Sequence, residues 1–403
     1  MSLPLVTGEV RAQGAGATSQ DPTPYRADDG QIFGRDFNYT DDSFLVRGLY
    51  RFHPESEEEW ALDREGLRAF AGSVSSDEFY TFQQVRGRYD VDAPLFFEFR
   101  YLRDEDFDSR YSSALFGVGA DIGRGWSAAL LAEVLPEKSG IDVQPEIRWT
   151  DGTGNEFRAA AIAVDAVFDD KSDEGEYTQR AWTFFAEGSR RLGERCRLTT
   201  WVNWNPQSER RFDADAFHHN YRSLRGGARF TWAWNADWVA VASGQGELTQ
   251  SSLRYIDTTD TRDRRLSRRH FRTEIELRRK LDDVFTVWAG ARYFRLSEKD
   301  RRPRDVVLDG TIHRSETTVF AGVDWRLHPR VLFWPGVYVD AISNREDFPN
   351  SPGRDDTDRG YLTAISFPFL VDIGKGAHLS AQASVLAHAL EFGGGSIHLS
   401  IPF

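Results

Sequence analysis

The chain has 403 residues, with 50 Lys plus Arg against 63 Asp plus Glu and a formal net charge of −13, which removes the simple electrostatic case for nucleic-acid binding. Its one cysteine, Cys196, excludes an internal disulfide framework and a cysteine-rich metal site. Hydrophobic residues make up 40% and aromatics 13%, yet no run approaches the roughly 18 consecutive apolar residues of a membrane helix.

Residues 1–12 are too short for a complete signal peptide and lack its basic start. Even so, Val10-Arg11-Ala12 ahead of Gln13 has the small-residue spacing of a signal-peptidase site; a truncated or mis-started secretory precursor fits, and a tag scar or a coincidence fits almost as well. Residues 13–35 are rich in Gly, Ala, Pro and Asp and read as unstructured. The expected organisation is a secretory or flexible segment at 1–40 and one domain at 41–403.

From there the dominant signal is alternation of period two, which places successive side chains on opposite faces of a strand. Leu95, Phe97, Phe99 and Tyr101 interleave with Phe96, Glu98 and Arg100, and Phe271, Thr273, Ile275 and Leu277 interleave with Arg272, Glu274 and Glu276. The pattern predicts strands near 43–54, 77–90, 94–104, 110–122, 126–135, 142–150, 156–168, 179–190 and 195–206. It continues near 220–234, 238–249, 270–281, 284–297, 314–327, 331–343, 360–372, 377–391 and 396–403. The connections alternate in kind. Short ones, such as Gly123-Arg124-Gly125, the DGTGN stretch 151–155, Asn235-Ala236-Asp237 and Gly374-Lys375-Gly376, trade places with charged loops at 55–76, 169–178, 207–219, 250–269, 298–313 and 344–359. Gly393-Gly394-Gly395 reads as a turn before the last strand.

A soluble sandwich or propeller has no reason to keep long and short connections at opposite ends. The expected fold is all-β: a transmembrane antiparallel up-and-down β-barrel of about eighteen strands (sixteen to twenty), with short periplasmic turns and long extracellular loops. Tryptophans beside the short turns (Trp126, Trp234, Trp238 and Trp325) suit a membrane interface. The chain ends on a strand with Ile397, Leu399, Ile401 and Phe403 sharing one face. This resembles the C-terminal assembly signal of Gram-negative outer-membrane β-barrels, the porin-like superfamily. The resemblance implies an integral outer-membrane protein that meets lipid and lipopolysaccharide and is delivered by the outer-membrane assembly machinery.

If the apolar faces meet lipid, the opposite faces line a lumen. That assignment puts Arg47, Arg51, Arg86, Arg88, Arg100, Arg197, Arg225, Arg229, Arg272, Arg278, Arg292 and Arg326 inside, with Glu98, Glu133, Glu187, Glu274, Glu276, Asp324 and Asp340. Neighbouring strands are expected to pair Arg225 or Arg229 with Glu247. The functional reading is an arginine-lined path for anions, carboxylated sugars or phosphate-bearing solutes. The structural reading is a ladder of mutually neutralising charges that stiffens the wall. Lysine occurs only at 138, 171, 280, 299 and 375, and GC-rich codon usage explains that bias without a function.

Catalysis has little to rest on. His218 and His219 stand near Asp213 and Asp215 in a predicted loop, where an Asp–His pair would activate water, but such residues are more often simply polar. There is no G-x-S-x-G, H-E-x-x-H or phosphate-binding glycine loop, and no cofactor or metal site is expected. The leading function is therefore a non-enzymatic, porin-like channel for small hydrophilic solutes. The alternative is a sleeve around a partner protein in the lumen or at the periplasmic end, such as a multihaem cytochrome. A third class binds partners through its loops, with the lumen blocked by residues 13–40 or by a short inward helix at Trp60-Ala61-Leu62 and Leu67-Arg68-Ala69-Phe70.

Overall fold

A computed structural model describes residues 66–74, 78–92, 94–106, 110–133, 141–167, 176–179, 182–212, 217–255, 263–387 and 390–402. Its strands are β1 (Gly66–Val74), β2 (Glu78–Asp92), β3 (Leu95–Asp106), β4 (Arg110–Gly123), β5 (Trp126–Glu133), β6 (Ile141–Thr150) and β7 (Glu156–Val167). There follow β8 (Glu176–Gln179), β9 (Trp182–Arg191), β10 (Cys196–Phe212), β11 (Phe217–Ala233), β12 (Trp238–Tyr255), β13 (Arg264–Lys280) and β14 (Phe285–Arg301). The last are β15 (Gly310–His328), β16 (Val331–Phe333), β17 (Gly336–Asp347), β18 (Asp356–Ser366), β19 (Phe369–Gly374), β20 (Ala377–Leu386) and β21 (Glu391–Pro402).

Three pairs of these strands are single staves with an interruption. Both β8 and β9 pair with β10, both β16 and β17 with β15, and both β18 and β19 with β20. The 21-stranded sheet therefore has eighteen staves, all antiparallel to their neighbours. Two of the breaks fall at Pro335 and Pro368, which have no N–H to give the ladder. The Trp334 N–H donates instead to the Pro368 carbonyl at 3.0 Å, and the Val323 N–H to the Pro335 carbonyl at 3.1 Å.

The first stave departs from expectation. The strand expected at 43–54 and the segment Trp60-Ala61-Leu62 lie outside the described residues. Leu67-Arg68-Ala69-Phe70, expected as a short inward helix within a loop, lies in the first half of β1. The reason is closure. β1 pairs on one side with β2 and on the other with β21, setting Leu67 opposite Ile401, Ala69 opposite Leu399 and Ala71 opposite Ile397. A helix there would leave two sheet edges without partners in lipid, where nothing else satisfies their backbone groups. The expected assembly residues Ile397, Leu399 and Ile401 thus sit on the seam that closes the barrel; Phe403 is outside the described residues.

Two further expectations are corrected. The charged stretches at 207–219 and 250–269 are mostly strand, and that at 298–313 is half strand, because β10 to β15 run for 17 to 19 residues; 344–359 is half strand, from the ends of β17 and β18. Beyond the membrane both faces are wet, so hydrophobic alternation stops although backbone pairing goes on. Gly393-Gly394-Gly395 is likewise in β21, not a turn. Here the ladder runs tightly against β20: a Cβ on Gly393 would stand 2.9 Å from Ser384 Oγ, and one on Gly395 2.9 Å from the Gln382 carbonyl.

The tight turns gather at one end. Gly123-Arg124-Gly125 and Gly374-Lys375-Gly376 have three consecutive positive φ angles each, which glycine on both sides of a single strained residue makes accessible. At 151–155 the Asp151 carboxylate accepts N–H bonds from Thr153 at 2.8 Å and Asn155 at 3.1 Å and an Asn155 side-chain amide bond. These donors hold its pKa well below the usual carboxylate range. A depressed folded-state pKa means the turn's contribution is fully present above the unfolded value and is lost as pH falls through the folded one. Asp151→Ala should lower the denaturant midpoint at neutral pH, with the difference from wild type shrinking as a titration is carried to strong acid.

The outward face is an apolar belt. Phe97, Phe99, Phe116, Val118, Leu130, Val202, Leu224, Ile275, Val319 and Val339 all remain at least 38% exposed, a state no soluble surface of this extent tolerates. Aromatics bound it at both ends. At the turn end stand Trp126 with Trp149, Trp232 with Trp234, and Phe285 with Trp325, at centroid distances of 6.3, 4.7 and 5.8 Å. At the other end stand Trp182, Phe184 and Trp204, together with Phe271 and Tyr293. On β14 the belt runs from Phe285 to Tyr293. At ~3.4 Å per residue and a tilt near 40°, that is roughly 20 Å of height, close to the apolar band of an outer-membrane barrel.

Candidate functional site: the inner wall

The opposite face of every stave points into the barrel, and strand pairing sets who meets whom on it. One network is built from β3, β6, β7 and β9. Glu98 and Arg100 stand two apart on β3 and so share a face, with Nε–Oε1 at 2.6 Å. Arg100 then reaches Glu146 on β6, donating from Nη2 to both carboxylate oxygens at 2.9 Å. Arg148 also bonds Glu146 and reaches back to Glu98 Oε2 at 2.5 Å. Arg158 on β7 donates to Glu146 Oε2 at 3.0 Å and to Glu187 Oε1 on β9 at 3.3 Å. Gln144 adds an amide bond to Glu146 at 2.8 Å.

From β3 to β6 is three inter-strand steps, about 14 Å along the wall. Arg100 and Glu146 meet across it beside small residues on the two staves between, Gly117 and Gly119 on β4 and Ser127 and Ala129 on β5, with Leu115 and Leu131 on the same face. Phe96 lies flat over Gly119, where a Cβ would come within 2.2 Å of its ring, and Arg88 sits 3.8 Å above the Phe96 ring centre. A cavity of about 400 Å³ opens at the turn end of this network, lined by Arg88, Asp121, Ser127, Arg148, Glu156 and Arg158 among others.

A second network spans β13 to β17. Arg292 and Arg272 both donate to Glu274 Oε2, at 2.8 and 3.3 Å. Arg278 bridges Glu276 at 2.5 Å and Asp324 at 3.1 Å. Arg314 donates to Glu316 at 2.6 Å, and the Thr318 hydroxyl to Asp340 at 2.9 Å. Between the two networks, Arg225 lies 3.6 Å from Glu247.

The expected lumen residues therefore sort plainly. Arg86, Arg88, Arg100, Arg197, Arg225, Arg229, Arg272, Arg278, Arg292, Glu98, Glu133, Glu187, Glu274, Glu276, Asp324 and Asp340 all fall on inward register positions. Arg326 shares that phase but is exposed at the turn-end rim, and Arg47 and Arg51 lie outside the described residues. Of the two expected partners for Glu247, register selects Arg225 and sets Arg229 opposite Ser243. Glu146, Arg148, Arg158, Arg314 and Glu316 were missed. The sequence carried a signal for most of them: Glu146-Ile147-Arg148 and Arg314-Ser315-Glu316 repeat the same-face, two-apart spacing of Glu98-Phe99-Arg100. Asp213 and Asp215 are outside the described residues, and His218 and His219 lie in β11, not in a loop. Among the described residues no group of three His, Cys, Asp or Glu gathers as a metal site.

The inner wall is not uniformly polar. Trp288, Phe320, Leu332, Trp334, Tyr338, Ala364 and Leu370 form one buried inward cluster. Trp288 lies over Gly322 and Gly336, where added Cβ atoms would stand 2.2 and 2.5 Å from the indole. Aromatic rings thus cover glycines on neighbouring staves and hold the curved wall flat and close.

A closed antiparallel sheet, apolar outside between two aromatic girdles and charged inside, is a transmembrane β-barrel of the outer-membrane type. The protein is accordingly an integral component of the Gram-negative outer membrane. No family model matches the chain, and no curated protein matches it. Solved structures do match over most of its length. Acinetobacter baumannii OccAB3 is 11% identical, covering 84% of this chain and 98% of that one with a TM-score of 0.42. Pseudomonas aeruginosa OccK2 (OpdF), solved in complex with glucuronate, is 12% identical, covering 84% and 97% with a TM-score of 0.41. The translocator domain of the autotransporter NalP from Neisseria meningitidis is 14% identical, covering 89% and 95% with a TM-score of 0.29.

Proposed function

We propose that the protein is a porin-like channel for the diffusion of small hydrophilic solutes and performs no catalytic step. One observation carries the reading: charged and hydroxyl groups line the inside of an eighteen-stave closed barrel. Eighteen staves about 4.8 Å apart and tilted near 40° give a backbone radius of roughly 18 Å, which leaves a lumen even with arginines on both walls. The arginines are matched by carboxylates, so the wall is not a lining of one sign, and weak selectivity is expected rather than strict anion preference.

The test is single-channel recording of the refolded protein in a planar bilayer under a salt gradient. Stable conductance steps with a reversal potential near zero are expected. Insertion without conductance would overturn the channel and favour a second reading, a sleeve around an enclosed polypeptide. A stoichiometric partner, including a haem-bearing one, should then co-purify.

A further inference from the structure

Above the apolar belt, at the end away from the tight turns, cations on the two faces of the same strands meet different fates. Those pointing inward find carboxylates: Arg264 Nε lies 3.0 Å from Asp300, and Arg268 Nε 2.6 Å from Glu298. Those pointing outward do not. Arg254, Arg265, Arg269, Arg295, Lys299 and Arg301 are all exposed, and none makes an ion pair or side-chain hydrogen bond to another described residue. Beyond Leu248, Phe271 and Tyr293, the outward positions of β12, β13 and β14 hold no acid; only Gln250, Ser252, Ser267 and Ser297 separate the six cations.

Register brings them together. Arg265 stands directly opposite Arg301, Lys299 opposite Ser267 between Arg265 and Arg269, and Arg295 opposite Phe271 beside Arg269. Directly opposed side chains are about 5 Å apart at Cβ and diagonal ones about 7–8 Å, and like charges so placed repel. Among the described residues nothing compensates that repulsion, and a counter-charge from outside the chain would. Arginine pairs two-pronged with phosphate, the interleaved serine hydroxyls add donors, and the surface continues the lipid-facing belt without a break. Arg269 and Arg295 stand two residues beyond Phe271 and Tyr293, about 7 Å along the strand, where headgroups meet the hydrocarbon.

We propose that the outward face of β12–β14 binds the phosphate groups of a glycolipid headgroup, lipopolysaccharide packed against the barrel from the surrounding leaflet. The proposal rests on the membrane setting and is independent of whether the lumen conducts. The full chain, folded in zwitterionic detergent, would be titrated with a bisphosphorylated lipid A and with the same glycolipid stripped of phosphate, with bound lipid read by native mass spectrometry. Wild type should prefer the phosphorylated form, and added salt should weaken that preference. The triple variant Arg265→Gln/Arg269→Gln/Arg295→Gln should bind it roughly 100-fold more weakly, at about fivefold per cation. The turn-end variant Arg330→Gln/Lys375→Gln should bind like wild type. Retention of the fold is checked by heat-modifiable gel migration; if the triple variant fails that check, Arg269→Gln alone should still show about a fivefold loss. Equal binding of the two glycolipids, triple-variant affinity within twofold of wild type, or displacement of the glycolipid by equimolar inorganic phosphate would each overturn the proposal.

Discussion

Glu146→Ala is expected to lower the unfolding free energy by about 3–5 kcal/mol, the usual result of removing one member of a buried ion network. Glu146 is fully buried and holds Arg100, Arg148 and Arg158 at once. Without it, three guanidiniums remain on one patch of wall and lose the carboxylate they share, keeping Glu98 and Glu187 among their partners. Urea titration of vesicle-folded protein by tryptophan fluorescence measures the change. Asp90→Ala is the control, because the pair it makes with Arg88 is exposed and should be worth about 1 kcal/mol or less. Equal effects for the two variants would mean that water reaches Glu146 freely and that the network does not stiffen the wall.

Val319→Arg should destabilise the membrane-folded state by about 2–4 kcal/mol, the cost of a cation on the lipid face at mid-depth. Val319 points outward on β15 and is 53% exposed, in a row with Ile275, Ala291 and Val339 near the middle of the belt. Thr317→Arg, two residues nearer the far interface on the same face, should cost about 1 kcal/mol or less. The same folding titration compares them. A flat profile along β15 would remove the lipid-facing assignment of this strand, and with it the inward assignment of Glu316 and Thr318.

Seventeen of the eighteen staves were legible because alternation is a local property, written within ten residues of chain and independent of any partner. The tight turns were legible for the same reason: Gly123-Arg124-Gly125 and the Asx-type turn at Asp151 are determined by the φ angles and side-chain acceptors of their own few residues. Failures arose where the physics was non-local. The span from 66 to 74 reads poorly by itself, as GLRAFAGSV mixes glycine, arginine and phenylalanine; it becomes a strand because β21 and β2 each need an edge to pair with. The charged extensions of β10 to β15 read as loops because their strand character comes from neighbouring backbones and not from a buried face.

For the inner wall, the phase of each strand was enough to say that Arg100, Arg272 and Arg292 leave the lipid face. It was not enough to say whether they are free. Same-face pairs two residues apart, such as Glu276 with Arg278, were implicit in the chain. Pairs such as Arg100 with Glu146, 46 residues apart, depend on the register of β3 to β6 across the two staves between them. By itself, then, the sequence determined a membrane barrel with an apolar exterior and a charged interior, since both follow from period-two patterning. Closure decided that β1 and β21 form the seam, and register between paired strands decided that most described inner arginines are neutralised and that outward cations from Arg265 to Arg301 stand together with no described counter-charge, because pairing is a property of two strands and not of either alone.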